Sequence, residues 1–455
     1  MYKSTRRIYL FLAIAAVVSV SGVLIIQAWV AESFTVHGWG NAPSVLGDHI
    51  MVTCGNCGLA FAVGAPHDMS GSMEVVLPKK MEGRCPNCCF RWAIPTTAEV
   101  LDGSQLLVLT LNKPHRWDLV VLSSPEDPSI VYVKRLVGLP NEIVEIAGGD
   151  VFIDGVRPER APDEVPGMWV LVYDSYYAPH SDRQTPVAWT PRDASSSWKQ
   201  RAGSWEHRDR QTEDEEDDAL DFKWDLTDEY CYNALLSLSE NPVPVQDVRL
   251  TCTLSRIVGN GHISLQWSSS KRKVIAAFHD SGKVELRLEA TSQAMQVPRI
   301  PEGSVIQMAV RDGRAYVFIN RQRVLSAAVE PLDLVTLKPP EDNAVDRCHL
   351  AVSACGLDVS IQRIVVERDI FYRSTMRGAV GRGCRGRALR LGQGEYFVLG
   401  DNSQASADSR WWTRPKSPPA AMCQPGAVSR ESILGVAVQE PWWWPCVVSA
   451  RWLSR

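Results

Sequence analysis

The stretch Gly400-Asp401-Asn402-Ser403-Gln404-Ala405-Ser406-Ala407-Asp408-Ser409-Arg410 decides how this chain is read. Taken alone it is a charged turn. It gains chemical meaning beside a second run, Tyr132-Val133-Lys134-Arg135-Leu136-Val137-Gly138-Leu139-Pro140. Strand alternation puts Lys134 on the face opposite Val133. A lysine serves as general base only if its proton is off near neutral pH, which requires desolvation among apolar neighbours. A neutral amine can then take the proton of a serine hydroxyl. An isolated strand lysine is ordinarily a solvent-facing edge residue, so the surrounding segments must carry the assignment.

Two further segments stand at matching places: Phe34-Thr35-Val36-His37-Gly38-Trp39-Gly40-Asn41-Ala42-Pro43 and Arg116-Trp117-Asp118-Leu119-Val120-Val121. Val428-Ser429-Arg430-Glu431-Ser432-Ile433-Leu434-Gly435 closes the series. Together these resemble the boxes of type I signal peptidases, which cut with a serine nucleophile and a lysine base. The resemblance covers residues 8–53, 101–160 and 371–445. It implies that Lys134 is the general base and that Ser406 orients it. It also implies that Asp408 and Arg410 form a salt bridge holding the site's hairpin, with Asp401 as a further structural residue. Asn141-Glu142 stands where the family usually has Gly-Asp or Gly-Glu.

The first box departs from the family at its centre. The family pattern is roughly Pro-Ser-Gly-Ser-Met-x-Pro-Thr-Leu, with the second serine as nucleophile and the first hydroxyl in the oxyanion hole. Aligned through Pro43, Ser44, Leu46 and Gly47-Asp48, this chain has Gly38 and Gly40 at those positions and Asn41 for the methionine. A glycine has nothing to attack with, and the oxyanion hole keeps at most its backbone N–H. Ser70-Gly71-Ser72-Met73 reproduces the missing tetrapeptide elsewhere, without the following Pro-Thr-Leu. Ser72 is therefore the alternative nucleophile, provided its loop folds back onto Lys134; Ser44 and Ser33 are lesser candidates.

Twelve cysteines include two Cys-x-x-Cys pairs, Cys54-Gly55-Asn56-Cys57 and Cys85-Pro86-Asn87-Cys88. Two such knuckles can bring four thiolates into the tetrahedron that structural zinc requires. Disulfides are the competing reading in an exported chain. At the N-terminus, Lys3, Arg6 and Arg7 precede an uncharged stretch from Ile8 to Val30. Its length suits a helix crossing roughly 30 Å of hydrocarbon. The flanking charge predicts a single-pass anchor in the cytoplasmic membrane, N-terminus in the cytoplasm and bulk outside. A cleaved signal peptide is the alternative, with Ala28-Trp29-Val30-Ala31 a poor cleavage site. Trp442-Trp443-Trp444 suits either a bilayer interface or a packed core corner.

With 455 residues the chain exceeds one compact core. A net charge of −4 gives no reason to expect nucleic acid. The expected fold is mainly β: an N-terminal transmembrane helix (1–30) and a signal-peptidase-like core (31–53, 101–160 and 371–445). A zinc-ribbon-like insert (54–100), a polar linker (161–225) and an inserted β-sandwich (226–370) complete it. The sandwich is inferred from short alternating runs with turns at Gly259-Asn260-Gly261, Asp280-Ser281-Gly282 and Asp312-Gly313; its order resembles a laminin-G or concanavalin-like jelly roll. Asp154-Gly155 is expected to turn a hairpin after Val151-Phe152-Ile153. The acidic run Glu213-Asp214-Glu215-Glu216-Asp217-Asp218 reads as a solvated loop, with a cation site as the alternative.

Three functions remain open. The chain binds signal peptides or extended segments of exported preproteins without cutting them. It cleaves them with Lys134 and a relocated serine. Or the sandwich is the working part and binds a glycan or another cell-surface polymer, for which exposed aromatic residues on one sheet face would be the support.

Overall fold

A computed structural model describes residues 31–438, apart from 67–76, 79–80, 96, 164, 166, 181–184, 202, 210–216, 237–240, 290, 330–345 and 414–422. The expected mainly β character holds: the described chain is built of strands joined by turns and short 3-10 segments. The expected N-terminal transmembrane helix and the single-pass membrane location do not stand. Among the described residues no helix is long and apolar enough to cross a membrane. The apolar run that suggested one, within 1–30, lies outside the described residues, as do Ser72 and Trp442 to Trp444. Hydropathy measured the length of that run but carried no information on its conformation.

The core is a seven-stranded sheet whose order differs from the chain order. Ala31–Thr35 is at one edge, followed by Gln105–Leu109, Ile433–Val438, Leu119–Ser123, Val131–Gly138, Glu395–Leu399 and Val428–Ser429. Residues from the first and last thirds of the described chain thus share one sheet. Val120, Leu122, Leu136 and Val398 are fully buried in one of its clusters, as β-branched and leucine runs on a covered pleat should be. Beside it, Ile143–Ala147 pairs with Asp150–Ile153 through Gly148 and Gly149, and with Leu389–Arg390. Asp154-Gly155 makes the tight turn expected of it, both residues at positive φ and Ile153 and Val156 exchanging backbone hydrogen bonds, but the return extends no further than that one bridge.

Each Cys-x-x-Cys run caps a hairpin. His49–Thr53 pairs with Ala60–Gly64 around Cys54 and Cys57, and Glu82–Arg84 pairs with Arg91–Ala93 around Cys85 and Cys88. The largest sheet is organised by two long strands, Val248–Ser268 and His349–Arg368, which pair along most of their lengths. The first half of Val248–Ser268 also pairs with Val305–Arg311 and its second half with Lys273–His279. Bulges between the halves, near Thr253 to Arg256 and Gly259 to His262, let the long strands change direction. One hydrophobic core results, containing Leu250, Leu265, Trp267, Ile306 and Val352. Residues 161–225 show little periodicity, yet they supply Val170–Asp174, Trp189–Pro191, Ser204–His207 and Asp218–Phe222 to this sheet.

The sheets are locked together by buried charge. Arg160, just beyond the core hairpin, bonds Asp312 and Asp369 of the large sheet, and Arg311 makes two further bonds to Asp369. Asp369 and Arg311 are fully buried. Removing one member of such a network strands the others without solvent. Asp369→Ala is therefore expected to cost about 3–5 kcal/mol, measured as a lowered denaturation midpoint by circular dichroism.

Candidate functional site

Lys134 projects from the centre of Val131–Gly138, cross-strand from Val120. The next two strand residues that pair onward, Arg135 and Leu136, meet Leu399 and Val398. Beyond Leu399 the chain turns through Gly400, and the 3-10 segment Ser403–Ala405 brings Ser406 back over the lysine. The Lys134 Nζ donates to Ser406 Oγ at 3.0 Å. Only glycine fits at 400: a Cβ there would lie 2.1 Å from Ser406 Oγ and 2.3 Å from the Gly40 carbonyl oxygen.

Lys134 is 3% exposed. Its amine has apolar neighbours, with the Tyr132 ring centroid 5.2 Å away and Tyr132 stacked on Trp412. Burial pulls the Lys134 amine down to about 8; Asp408 and Asp401 pull it back up, and Arg410 adds to the fall. Asp408 is itself engaged, since Arg410 donates to it through Nε and Nη2 at 2.9 and 2.7 Å. Both are fully buried, and Arg410 continues to the Ser403 Oγ and to the Arg373 carbonyl. Asp401 accepts from the Arg135 guanidinium and from the Tyr372 hydroxyl at 3.0 Å.

Gly40 closes the site. A Cβ built on it would stand 3.1 Å from Lys134 Nζ and 3.5 Å from Ser406 Oγ. The loop is held in place: Asn402 N–H donates to the Gly40 carbonyl at 3.1 Å, and the Asn402 side chain donates to the Trp39 carbonyl at 3.0 Å. A Cβ at Gly38 would meet nothing within 4 Å. The lesser serine candidates lie elsewhere. Ser44 accepts from Arg135 and donates to the Gly167 carbonyl, and Ser33 sits on the edge strand Ala31–Thr35. Ser406 is the hydroxyl that meets the amine, and it is 3% exposed, beneath the position a side chain at 40 would take.

Residues to which the sequence assigned no role complete the arrangement. Asn41 donates its side-chain amide to the Val133 carbonyl and accepts from the Asp401 N–H at 3.4 Å. Three come from the chain between the two parts of the core. Asn233 exchanges amide hydrogen bonds with Asn402, at 2.8 and 2.6 Å. The Tyr232 hydroxyl accepts from the Gly47 N–H, and Asp228 binds Arg373 and Gln404. Arg135 was visible next to Lys134, and a buried arginine beside a candidate base asks for a carboxylate partner. Nothing local marks Asn233 or Tyr232.

The four knuckle cysteines converge. Cys54 and Cys88 Sγ atoms are 3.6 Å apart, as are those of Cys57 and Cys85, and all four are buried. Four donor atoms lie within 4.8 Å of one another. This is too long for disulfide bonds, which need about 2.05 Å, and close to the edge of a tetrahedron with about 2.3 Å metal–sulfur bonds. Hydrogen bonding from Cys85 and Cys88 pulls the Cys57 thiol down, toward thiolate. The knuckle asparagines tie the thiols to their surroundings: Asn56 donates to Cys88 Sγ at 3.9 Å and to Thr185 Oγ1 at 3.0 Å, and Asn87 donates to the Tyr177 carbonyl.

A family model described as signal peptidase, peptidase S26, matches residues 5–185 and 372–443. This chain belongs to that family. Signal peptidase I of Rickettsia typhi is 38% identical over 48 residues, covering 10% of this chain and 18% of that protein. Signal peptidase I of Rickettsia prowazekii matches to the same extent. The matched segment thus spans under a fifth of those curated relatives. Among solved structures, the carbohydrate binding module CBM66 from Bacillus subtilis is 11% identical with a TM-score of 0.27, covering 40% of this chain and 95% of that one. The endo-β-1,3-glucanase from Pyrococcus furiosus is 9% identical with a TM-score of 0.30, covering 51% and 100%.

The depressed lysine carries a stability signature. The folded chain releases its Lys134 proton near pH 8, against 10.5 for an ordinary lysine. Between those values the unfolded chain binds more protons, so stability rises with pH. Relative to Lys134→Met, the wild type is expected to gain about 3 kcal/mol between pH 8 and 10.5. Parallel denaturation series on the two proteins measure that difference.

Proposed function

We propose that this chain binds the signal-peptide region of exported preproteins as an added strand and does not cleave it. One observation carries the reading: the side-chain position that points at the Lys134 amine, at 3.1 Å, belongs to a glycine. Lys134 acts as general base in the family pattern, with Ser406 orienting it and Asp408 and Arg410 bracing the hairpin. Here the base has no hydroxyl to deprotonate at the nucleophile's position.

The binding half of the proposal rests on the edge left by Lys134's own strand. Val131–Lys134 pairs with Leu119–Ser123 on one side; on the other no described strand pairs with it, and the Asn41 side chain takes the Val133 carbonyl, leaving the edge beyond it for a peptide. An extended peptide can complete such an edge with main-chain hydrogen bonds. Val131 is 43% exposed beside this edge and offers apolar contact. The glycan reading has less support. The face of the large sheet opposite its hydrophobic core carries His262, Ser264, Gln266, His279 and Ser353, the two serines fully buried, and no Trp, Tyr or Phe is among these residues.

Purified protein mixed with a preprotein supplies the test. Wild type is expected to retain it by surface plasmon resonance and leave it uncut. Gly40→Ser is expected to cut, because Gly40 does not have a positive φ and the facing Lys134 tip needs to yield only slightly. Its rate should rise about tenfold per pH unit up to about 8 and then level off, as a base must be deprotonated to act. Adding Gly38→Ser should raise kcat further, by about 10²–10³ if an oxyanion donor is restored. Cleavage by the wild type that disappears in Lys134→Ala would overturn the non-cleaving reading.

For the four thiols we propose a structural zinc ion bound by Cys54, Cys57, Cys85 and Cys88. The tetrahedral spacing and complete burial of the donors support it. A closed four-sulfur shell leaves no position for substrate, so the metal would hold two hairpins together and take no part in chemistry. Chelation is expected to lower the thermal midpoint by several degrees, and Cys57→Ser to remove one equivalent of zinc. An unchanged midpoint and metal content would refute this.

A further inference from the structure

The outward face of the large sheet brings together three different metal-ligating side chains. His262 lies directly across from Cys355 in the pairing of the two long strands. Asp218 pairs with Ala354, which places Asp217 on the same rung as Cys355. Directly opposed residues share a face, so the three side chains form a row. His262 Nε2 is 3.0 Å from Asp217 Oδ1, and one donor atom from each of Asp217, His262 and Cys355 lies within 4.8 Å of the others.

The rung beneath is built to support them. Ser353 Oγ donates to Asp217 Oδ2 at 3.1 Å, fixing the carboxylate's second oxygen. Ser264 and Ser353 are fully buried, 2.6 Å apart, and the Gln266 amide donates to both. This floor leaves the row above it with its open side toward solvent, where Asp217 is exposed. The His279 ring lies alongside His262, with centroids 5.1 Å apart.

We propose that Asp217, His262 and Cys355 bind one divalent transition-metal ion of the zinc class. The donor chemistry selects it. Calcium and magnesium take oxygen ligands, whereas one imidazole, one thiolate and one carboxylate make a mixed set suited to a borderline-soft ion. Three protein ligands on an accessible face leave a fourth tetrahedral position for water or an incoming ligand, unlike the closed four-sulfur shell. The serine bond to Asp217 is the outer-shell support that such sites use. Asp217 belongs to the acidic run Glu213 to Asp218, so this assigns a cation role to one residue of a segment otherwise read as solvated loop. The proposal is independent of peptide binding and of the four-cysteine cluster.

Metal content separates these sites. The full chain, loaded with zinc and freed of excess ion, is assayed by inductively coupled plasma mass spectrometry. His262→Ala and Cys355→Ser are each expected to hold one equivalent less than wild type, while Ser270→Ala on a neighbouring turn holds the same. Cys57→Ser is expected to lose a different equivalent, so that Cys57→Ser/His262→Ala loses two. Asp217→Asn, a change at an exposed position, should weaken the second equivalent at least tenfold in a competition titration with a chromophoric chelator, and it serves if the other variants misfold. Unchanged zinc content in His262→Ala and Cys355→Ser, or unchanged affinity in Asp217→Asn, overturns the proposal.

Discussion

An amine without water is the constraint around which the core is arranged. Lys134 gives up hydration for one hydrogen bond to Ser406, the face of Tyr132, and nearby charge. The charge is metered. Asp408 alone would hold the amine protonated as an ion pair, but Arg410 grips both of its oxygens. The lysine therefore feels a carboxylate already neutralised, and burial wins. Arg410 in turn depends on Ser403 and the Arg373 carbonyl, so the tuning reaches outward through one connected set of bonds.

The loop bearing Gly38 and Gly40 is held firmly although neither residue has a side chain. Gly40 remains fixed through its carbonyl, which Asn402 N–H holds, and Trp39 through the Asn402 side chain. A buried lysine costs stability below its folded pKa whether or not it has a proton to move. The fold thus keeps a costly buried amine facing a position that carries no side chain.

How legible was this from sequence? The strands around Lys134 and the cysteine knuckles were readable because each has a local signature: alternation in one case, Cys-x-x-Cys spacing in the other. The meeting of Lys134, Ser406 and Gly40 was accessible only through resemblance, because those residues are far apart in the chain and no periodicity links them. The strands between 161 and 225 were hidden by proline and charge, since edge and short strands need little alternation when a long neighbour such as His349–Arg368 supplies the pairing. The apolar run before residue 31 lies outside the described residues, among which no helix is long and apolar enough to cross a membrane. Asn233 and Tyr232 were invisible because a single side chain reaching across a fold leaves no trace in its own neighbourhood.

Tyr232 lies so close against Gly64 that a Cβ there would fall 2.7 Å from its ring, while its hydroxyl takes the Gly47 N–H. The segment bearing it looks like a passenger between two parts of an enzyme-like core, yet its aromatic ring needs a vacancy in the host and fills it. Host and passenger are therefore not interchangeable parts. Excising the passenger would leave a hole beside the site loop, and transplanting it would require a recipient with a bare backbone at the equivalent of position 64.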